Sequence, residues 1–359
     1  MHLNLHKKAY KKVLLIANGY EPYHDDIFHL AESVHYIDPY SQDKNYIQSL
    51  ETFKKYLEDN NLDSKSTEIV YGSGLEDKIG IQEYLDNEFS IAGNSFSKYR
   101  YLSNIYNLDE AIFNKKISLP ETSKSYHYKF LSKKYNSSGG LHVGNNIFSK
   151  DIYYQKYLPG KTYSISFIAN GEYSRILGLN QLFLVKDNIK FPFLHSGAMN
   201  LGLSEANIDF PKDFIFSICN LYQIKGYCSI DFKIIDNKIY ILDFNPRLSS
   251  SYRLYTRKYE NLIQHHLGLI DNELNMISNQ YYAYIILYAK KDLVINNSIN
   301  EIENISDRPT IGDYIKKDMP LFTINLYSND KDDILFKIKN RIISAMKIID
   351  CYNTQLEYE

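Results

Sequence analysis

Asp231, Asp243, Asn245 and Arg247 fall within residues 226–251, GYCSIDFKIIDNKIYILDFNPRLSSS, and together they form a set suited to a metal ion and phosphate. Cys228, Ile230, Phe232 and Ile234 alternate with Ser229, Asp231 and Lys233, the pattern of a half-buried strand. Residues 239–244 read as the returning strand. If Asp236, Asn237 and Lys238 make a three-residue loop, Ile235 pairs with Ile239 and Asp231 stands directly opposite Asp243, with Asn245 on the same face. Two carboxylates so placed repel, by roughly 3 kcal/mol at about 5 Å and an effective dielectric of about 20. A divalent cation between them reverses that sign. Magnesium takes oxygen ligands, commonly one or two carboxylates plus nucleotide phosphate oxygens, and two aspartates with an amide oxygen suit it. No Cys or His cluster competes for a softer metal. On spacing alone an ordinary edge hairpin with its acids in water stays open as the alternative.

Other residues could contribute. Lys133 precedes Tyr135-Asn136-Ser137-Ser138-Gly139-Gly140, a loop of small residues whose N–H groups could approach phosphate oxygens beside a lysine point charge. The pattern GxxxxGK[ST] is absent, so this is not a P-loop. Residues 153–160, YYQKYLPG, read as a strand entering a Pro-Gly turn. Gly72-Ser73-Gly74 lies where a strand hands over to a helix, a frequent ligand position and equally a plain tight turn. His142 is the nearest candidate base, although a lone histidine is more often structural. His265 and His266 are helix neighbours pointing in different directions, which disfavours a joint metal site. Tyr252, Arg253 and Arg257 could face a carboxylate substrate or simply lie at the surface.

These groups need elements to position them. Residues 11–17, 34–37 and 68–71 read as strands alternating with helices at about 45–59 and 79–87, a small parallel α/β layer. Residues 98–114 read as helix. The middle of the chain reads as strands at 128–134, 152–158, 162–169 and 172–179, the last two joined across Asn170-Gly171 as a hairpin. Helices follow at 212–222 and about 259–267. The tail reads as strands at 282–289 and 321–327 and a helix at about 332–349. The domain organisation expected is an N-terminal α/β unit over 1–97, a strand-rich unit over 98–270, which the resemblance given below implies to be two subdomains clamping a nucleotide, and a small α+β unit over 271–359.

Composition bounds the rest. The 359 residues are 44% apolar with a formal net charge of −2, enough for two or three packed units. No arginine stripe marks a nucleic-acid surface. Cys219, Cys228 and Cys351 show no CxxC spacing and leave one over, which argues for a reducing, cytoplasmic setting. Neither a signal peptide nor an apolar run of membrane-spanning length is visible.

In the order lysine strand, glycine loop, Pro-Gly hinge, Asn-Gly hairpin and paired-acid hairpin, the chain resembles the ATP-grasp superfamily. Its signature D-F … [ED]-x-N-P-R reads here Asp231-Phe232 and Asp243-Phe244-Asn245-Pro246-Arg247. The blocks IVYGSGLEDKIGIQEYL, SIAGNSFSKYRYLSN, FLSKKYNSSGGLHV, YYQKYLPGKTYSISFIANGEYSRILGLNQ and DRPTIGDYIKKDMPLFTI look like one branch, ATP-dependent carboligases related to biotin carboxylase. That branch is associated with tetrahydromethanopterin-linked one-carbon metabolism, and the tyramine–glutamate ligase of methanofuran biosynthesis is a relative.

The resemblance implies an ATP-grasp fold of mixed α/β and α+β character, with a Rossmann-like N-terminal domain and a small C-terminal α+β subdomain. It implies ATP and Mg2+ as cofactors, with Asp231, Asp243 and Asn245 on magnesium. Lys133 would meet the α and β phosphates, with Ser138, Gly139 and Gly140 as a lid. Gln155, Lys156, Tyr157 and Leu158 would present backbone to adenine, and Arg247 would steady the transferred phosphoryl group. Three departures stand out. Asp243 replaces a common glutamate, Lys156 and Thr162 stand where a glutamate commonly meets ribose, and Ser229 stands where an arginine is common. The implied reaction joins a small-molecule carboxylate to an amine through an acyl phosphate, glutamate and a tyrosine-derived amine being the relative's pair. The resemblance gives no role to nucleic acid or membrane and leaves a homodimer open. A kinase or carboxylase on the same clamp, or a non-catalytic ATP-binding regulator, are the alternatives.

Overall fold

The computed structural model describes residues 9–18, 23–39, 46–126, 128–135, 137, 139–144, 151–202, 210–271 and 273–356. The fold is mixed α/β, built on three main sheets.

The first is parallel and four-stranded, in the order Ala31–Ile37, Tyr10–Ile16, Thr67–Tyr71, Ser90–Ile91. Its central strand is an unbroken apolar run, with Val13, Leu14, Leu15 and Ile16 all fully buried, as a strand covered on both faces requires. The helix Leu50–Asp59 begins where Ser49 and Thr52 form a reciprocal capping box, which shortens the helix expected from residue 45.

A ten-stranded sheet dominates the rest. Its order is Ile305–Ser306, Pro320–Ser328, Tyr281–Tyr288, His195–Leu201, Ser174–Val185, Thr162–Asn170, Lys225–Ile235, Lys238–Asn245, Ile117–Ser118, and Thr354–Gln355 pairs with Ser174–Val185. The strands of the tail therefore continue the sheet that carries the paired-acid hairpin. The helix Lys331–Ile348 buries Ile334, Ile338, Ile342 and Ala345, one stripe at three- and four-residue spacing. That stripe joins a core shared with Ile230, Phe232, Ile241 and Phe244. The third sheet is small and antiparallel, in the order Thr122–Ser123, Ile152–Lys156, Phe130–Lys134, Val143–Gly144.

Two expected elements differ. The helix expected over 98–114 is Phe96–Ser103, followed by short 3-10 turns at Ile105–Asn107 and Glu110–Ile112. Asn104 adopts an extended ψ of 92° and its side chain accepts from the Tyr106 N–H, capping a new turn instead of continuing the old. The helix near 259–267 is only Leu262–His266, because Asn261 just before it is left-handed, at φ 54°. Among the described residues no helix is long and apolar enough to cross a membrane.

The signature hairpin reaches its predicted pairing by a different route. Asp236 and Asn237 both have positive φ, 48° and 60°, and Ile235 pairs with Lys238. The loop thus has two residues of the type that follows strand twist, not three. That register alone would set Asp231 against Leu242. A bulge between Phe232 and Asp231 on the pairing ladder leaves Leu242 over, so Asp231 pairs with Asp243 and Ser229 with Asn245. Asn237 tolerates its left-handed backbone because its short polar side chain crowds the following carbonyl less than a branched one. Replacement Asn237→Val is expected to lower unfolding free energy by about 1–2 kcal/mol, measured by urea denaturation; an unchanged midpoint would contradict the two-residue turn.

Candidate functional site

The small sheet overhangs the large one, and between them lies a cavity of about 500 Å³. Lys133, Gly139, Gly140, Gln155, Lys156, Tyr157, Leu158, Asp231, Asp243, Asn245 and Arg247 all line it. Ser138 lies outside the described residues.

The floor carries the acids. Asp231 and Asp243 face each other across the hairpin, and Ser164 on the neighbouring strand pairs with Asp231. Burial and then the Asp243 charge push the Asp231 carboxyl up to about 7, against the pull of Ser164, Lys133 and Arg247. Burial also raises Asp243, while Lys133 and Arg247 lower it. Removed from water, each carboxylate is costly without a counter-charge. Among the described residues no three His, Cys, Asp or Glu side chains gather for a metal. The donor set is two carboxylates and the Asn245 amide, all oxygen donors, which fits magnesium with phosphate oxygens completing its shell.

The roof is tied to the floor through Lys133. Its Nζ donates to the Leu242 carbonyl at 3.1 Å, the residue that the bulge leaves over. Gln155 Oε1 lies 3.5 Å from the same Nζ, and Gln155 Nε2 donates to the Tyr106 hydroxyl at 2.8 Å. The glycine loop rests on the rim of the large sheet, where Gly139 O accepts from the His195 N–H at 3.0 Å. A side chain on Gly140 would collide with the Phe193 carbonyl, and its φ of 78° also favours glycine.

Arg247 is held from the first sheet. Its Nη2 donates to Glu76 Oε1 at 2.9 Å and its Nη1 to the Leu248 carbonyl at 3.0 Å. Both side chains of this ion pair are almost fully buried, and the Tyr99 ring lies 5.6 Å from the guanidinium carbon. Burial opposes the charge on Arg247, but Glu76, Tyr99 and Asp243 together more than offset it. Glu76 Oε2 in turn accepts from the Gly74 N–H at 2.6 Å. The Gly72-Ser73-Gly74 turn therefore serves the site through Glu76, and Ser73 lines the cavity. At Gly72 an added Cβ would meet Ala17 at 3.0 Å and the Leu248 carbonyl at 3.4 Å, so glycine there permits the close approach.

Three further candidates are elsewhere engaged. Tyr252 is buried and donates to Asp26 at 2.5 Å. Arg253 pairs with Asp307 at 2.6 Å, and neither Tyr252 nor Arg253 lines the cavity. Buried His266 accepts from the Tyr227 N–H at 2.9 Å as a structural group. His142 does line the cavity. Sequence reasoning missed Glu76 as Arg247's partner and Lys233 as a cavity residue. Glu76 carried a signal, two residues past the glycine turn, but its partner is 171 positions away.

Removing one member of a buried ion pair leaves the other charge unpaired. Glu76→Ala is expected to cost about 3–5 kcal/mol of stability, read by chemical denaturation, with the double replacement of Glu76 and Arg247 by methionine recovering much of the loss. A single replacement that leaves the midpoint unmoved would show the pair to be energetically idle.

Comparison with known proteins bears on the fold. An uncharacterized protein of Methanocaldococcus jannaschii is 28% identical over 272 residues, spanning 68% of this chain and 66%, just under two thirds, of its own length. Among solved structures, a biotin carboxylase of Campylobacter jejuni, crystallised as a β-γ-ATP complex, superposes with a TM-score of 0.63 at 11% identity, covering 96% of this chain and 93% of its own. A carboxyaminoimidazole ribonucleotide synthase of Aspergillus clavatus complexed with ATP gives 0.65 at 11% identity, covering 95% and 99%. An L-amino acid ligase of Bacillus licheniformis gives 0.60 at 10% identity, covering 92% and 97%. The model of the ATP-grasp domain family matches residues 102–251, which run from the end of the Phe96–Ser103 helix through the paired-acid hairpin, and the fold of the chain is the ATP-grasp fold.

Proposed function

We propose that this protein is an ATP- and magnesium-dependent ligase that joins a small-molecule carboxylate to an amine through an acyl phosphate. The observation that carries the reading is the single cavity in which the opposed Asp231 and Asp243, Asn245, Lys133 and Arg247 meet beside the segment 155–158. Asp231, Asp243 and Asn245 would hold magnesium, which when bound neutralises phosphate charge. Lys133, held by the Leu242 carbonyl, would meet the α and β phosphates as a point charge. The backbone of Gln155, Lys156, Tyr157 and Leu158 would take the adenine edge. Gly139 and Gly140 would cover the phosphates and exclude water.

In the first step a substrate carboxylate oxygen attacks the γ-phosphorus, the bond to the β-phosphate oxygen breaks, and ADP leaves. An amine then attacks the acyl carbon, phosphate departs with the C–O electron pair, and the amine loses a proton to form the amide. Positioning and charge stabilisation supply most of the acceleration in such transfers. Arg247 is suited to this work because Glu76 and the Leu248 carbonyl fix its orientation before substrate arrives. A cytoplasmic setting and a role in one-carbon cofactor biosynthesis, with glutamate and a tyrosine-derived amine as substrates, belong to the same reading and rest on resemblance to the carboligase branch.

Incubation with ATP, magnesium and pools of carboxylic acids, amino acids and amines should release ADP and phosphate in equal amounts, with a new amide visible by mass spectrometry. Stimulation by bicarbonate alone would instead mark a carboxylase. Asp243→Ala should lower turnover by about two orders of magnitude or more while leaving the far-UV circular dichroism unchanged, and full activity in that variant would remove the assigned metal role.

A further inference from the structure

Lys233 is a cavity residue that the paired-acid motif does not explain. It follows Asp231 by two positions on the Lys225–Ile235 strand and so shares its face. Its side chain lines the cavity although the residue is only 9% exposed. The ammonium donates to the Leu158 carbonyl at 2.7 Å and the Gly160 carbonyl at 2.8 Å, and the Tyr157 ring lies 5.5 Å from it. Among the described residues it forms no ion pair. An ammonium has three donors, and two neutral carbonyls use two. The third has the cavity as its remaining environment, and a buried cation without a carboxylate requires an acceptor there.

The Leu158 carbonyl ends the hinge segment 155–158, the backbone read above as the adenine contact, and the Gly160 carbonyl lies two residues beyond it. Thr162, one residue beyond the last paired residues Tyr163 and Phe232, also lines the cavity beside this lysine. The group attached to a base held by the hinge is its sugar. We infer that Lys233 is a nucleotide-binding residue whose third N–H donates to the ribose hydroxyl oxygens while its other two lock the Leu158–Gly160 turn. The sugar contact is thereby made by a donor, so the site discriminates a ribonucleotide from its dideoxy counterpart at this position. The inference rests on the reading of the cavity as an ATP site.

The test measures dissociation constants of MgADP and of magnesium 2′,3′-dideoxy-ADP by titration calorimetry, for the wild-type chain and for Lys233→Met. Wild type should favour ADP by about tenfold or more, the scale of a hydrogen bond to a charged group. Lys233→Met should weaken ADP by about tenfold more than it weakens dideoxy-ADP, so that the preference for ADP collapses. Should that variant not fold, Lys233→Gln, which still offers N–H groups to the turn carbonyls but has no ammonium, is expected to give the same collapse of the ratio. Equal wild-type affinity for the two nucleotides overturns the sugar contact and leaves the ATP site standing. Equal weakening of both nucleotides by the substitution also overturns it, since a latch on the turn would do no more. Failure of the wild type to bind either nucleotide overturns the inference together with the ATP reading beneath it.

Discussion

The ion pair between Glu76 and Arg247 is the interaction on which the site's geometry depends. A guanidinium withdrawn from water is tolerated only where a carboxylate and further acceptors meet it, and the carboxylate comes from the other α/β layer of the molecule. The same layer grips the neighbouring residues in turn. Asn94 Nδ2 donates to the Pro246 carbonyl at 3.0 Å, Gly72 packs on Leu248, and the Tyr23 hydroxyl donates to the Ser249 carbonyl at 3.1 Å. Four consecutive residues after Asn245 are thus fixed from outside their own sheet. Around them Val13, Leu15 and Ala17 share one core with Leu248, Tyr252 and Tyr255, so burial of apolar surface holds the two layers in register.

This grip changes how the charges balance. Burial raises the carboxyls of both opposed aspartates, with the Asp243 charge adding to the rise at Asp231, although Lys133 and Arg247 pull both down. Lys133 reaches from the small sheet but spends a donor on the Leu242 carbonyl. The floor is therefore electrostatically incomplete in the protein alone, the condition under which an oxygen-ligating cation gains most. The bulge at Leu242 serves both ends of this arrangement. It restores the facing pair after a two-residue turn, and it presents a carbonyl freed from the ladder to Lys133.

Alternation along residues 228–235 and the Asn-Gly turn at 170–171 made the central hairpins legible in the sequence, because side-chain period and turn chemistry are local properties. The facing of Asp231 and Asp243 was legible only through two departures that cancel, a shorter loop and an added bulge. The apolar spacing Ile239, Ile241, Phe244, two positions and then three, carried that bulge in plain view, since Leu242 breaks the alternation. The strand His195–Leu201 was not legible. Ser196, Ala198, Asn200 and their neighbours are buried together, so no polar face alternates with an apolar one. Glu76 and Lys233 were hidden for another reason: what each does is set by a partner distant along the chain, and local pattern carries no such pairing. The tail read as a separate α+β unit because its strands are locally self-consistent, whereas their place in the large sheet depends on His195–Leu201.

The two walls of the cavity are held by unequal means. The floor belongs to a ten-stranded sheet with helices over its core and is pinned by a buried ion pair. The roof is a four-stranded sheet whose ties to the rest include Lys133 to Leu242, Gln155 to Tyr106 and Gly139 to His195. Of these, the two side-chain bonds are only partly buried, and the small sheet contributes Phe130 alone to the buried apolar set. Elements with few buried apolar contacts open at lower free energy than core strands. On the proposed reading a nucleotide enters between the walls, and the roof would lift by breaking a few hydrogen bonds while the floor would not move without stranding Arg247. Burial would then divide the labour of the proposed site: the acids and the arginine stay preset, and the lysine, the glycines and the segment 155–158 would supply the motion that admits a ligand.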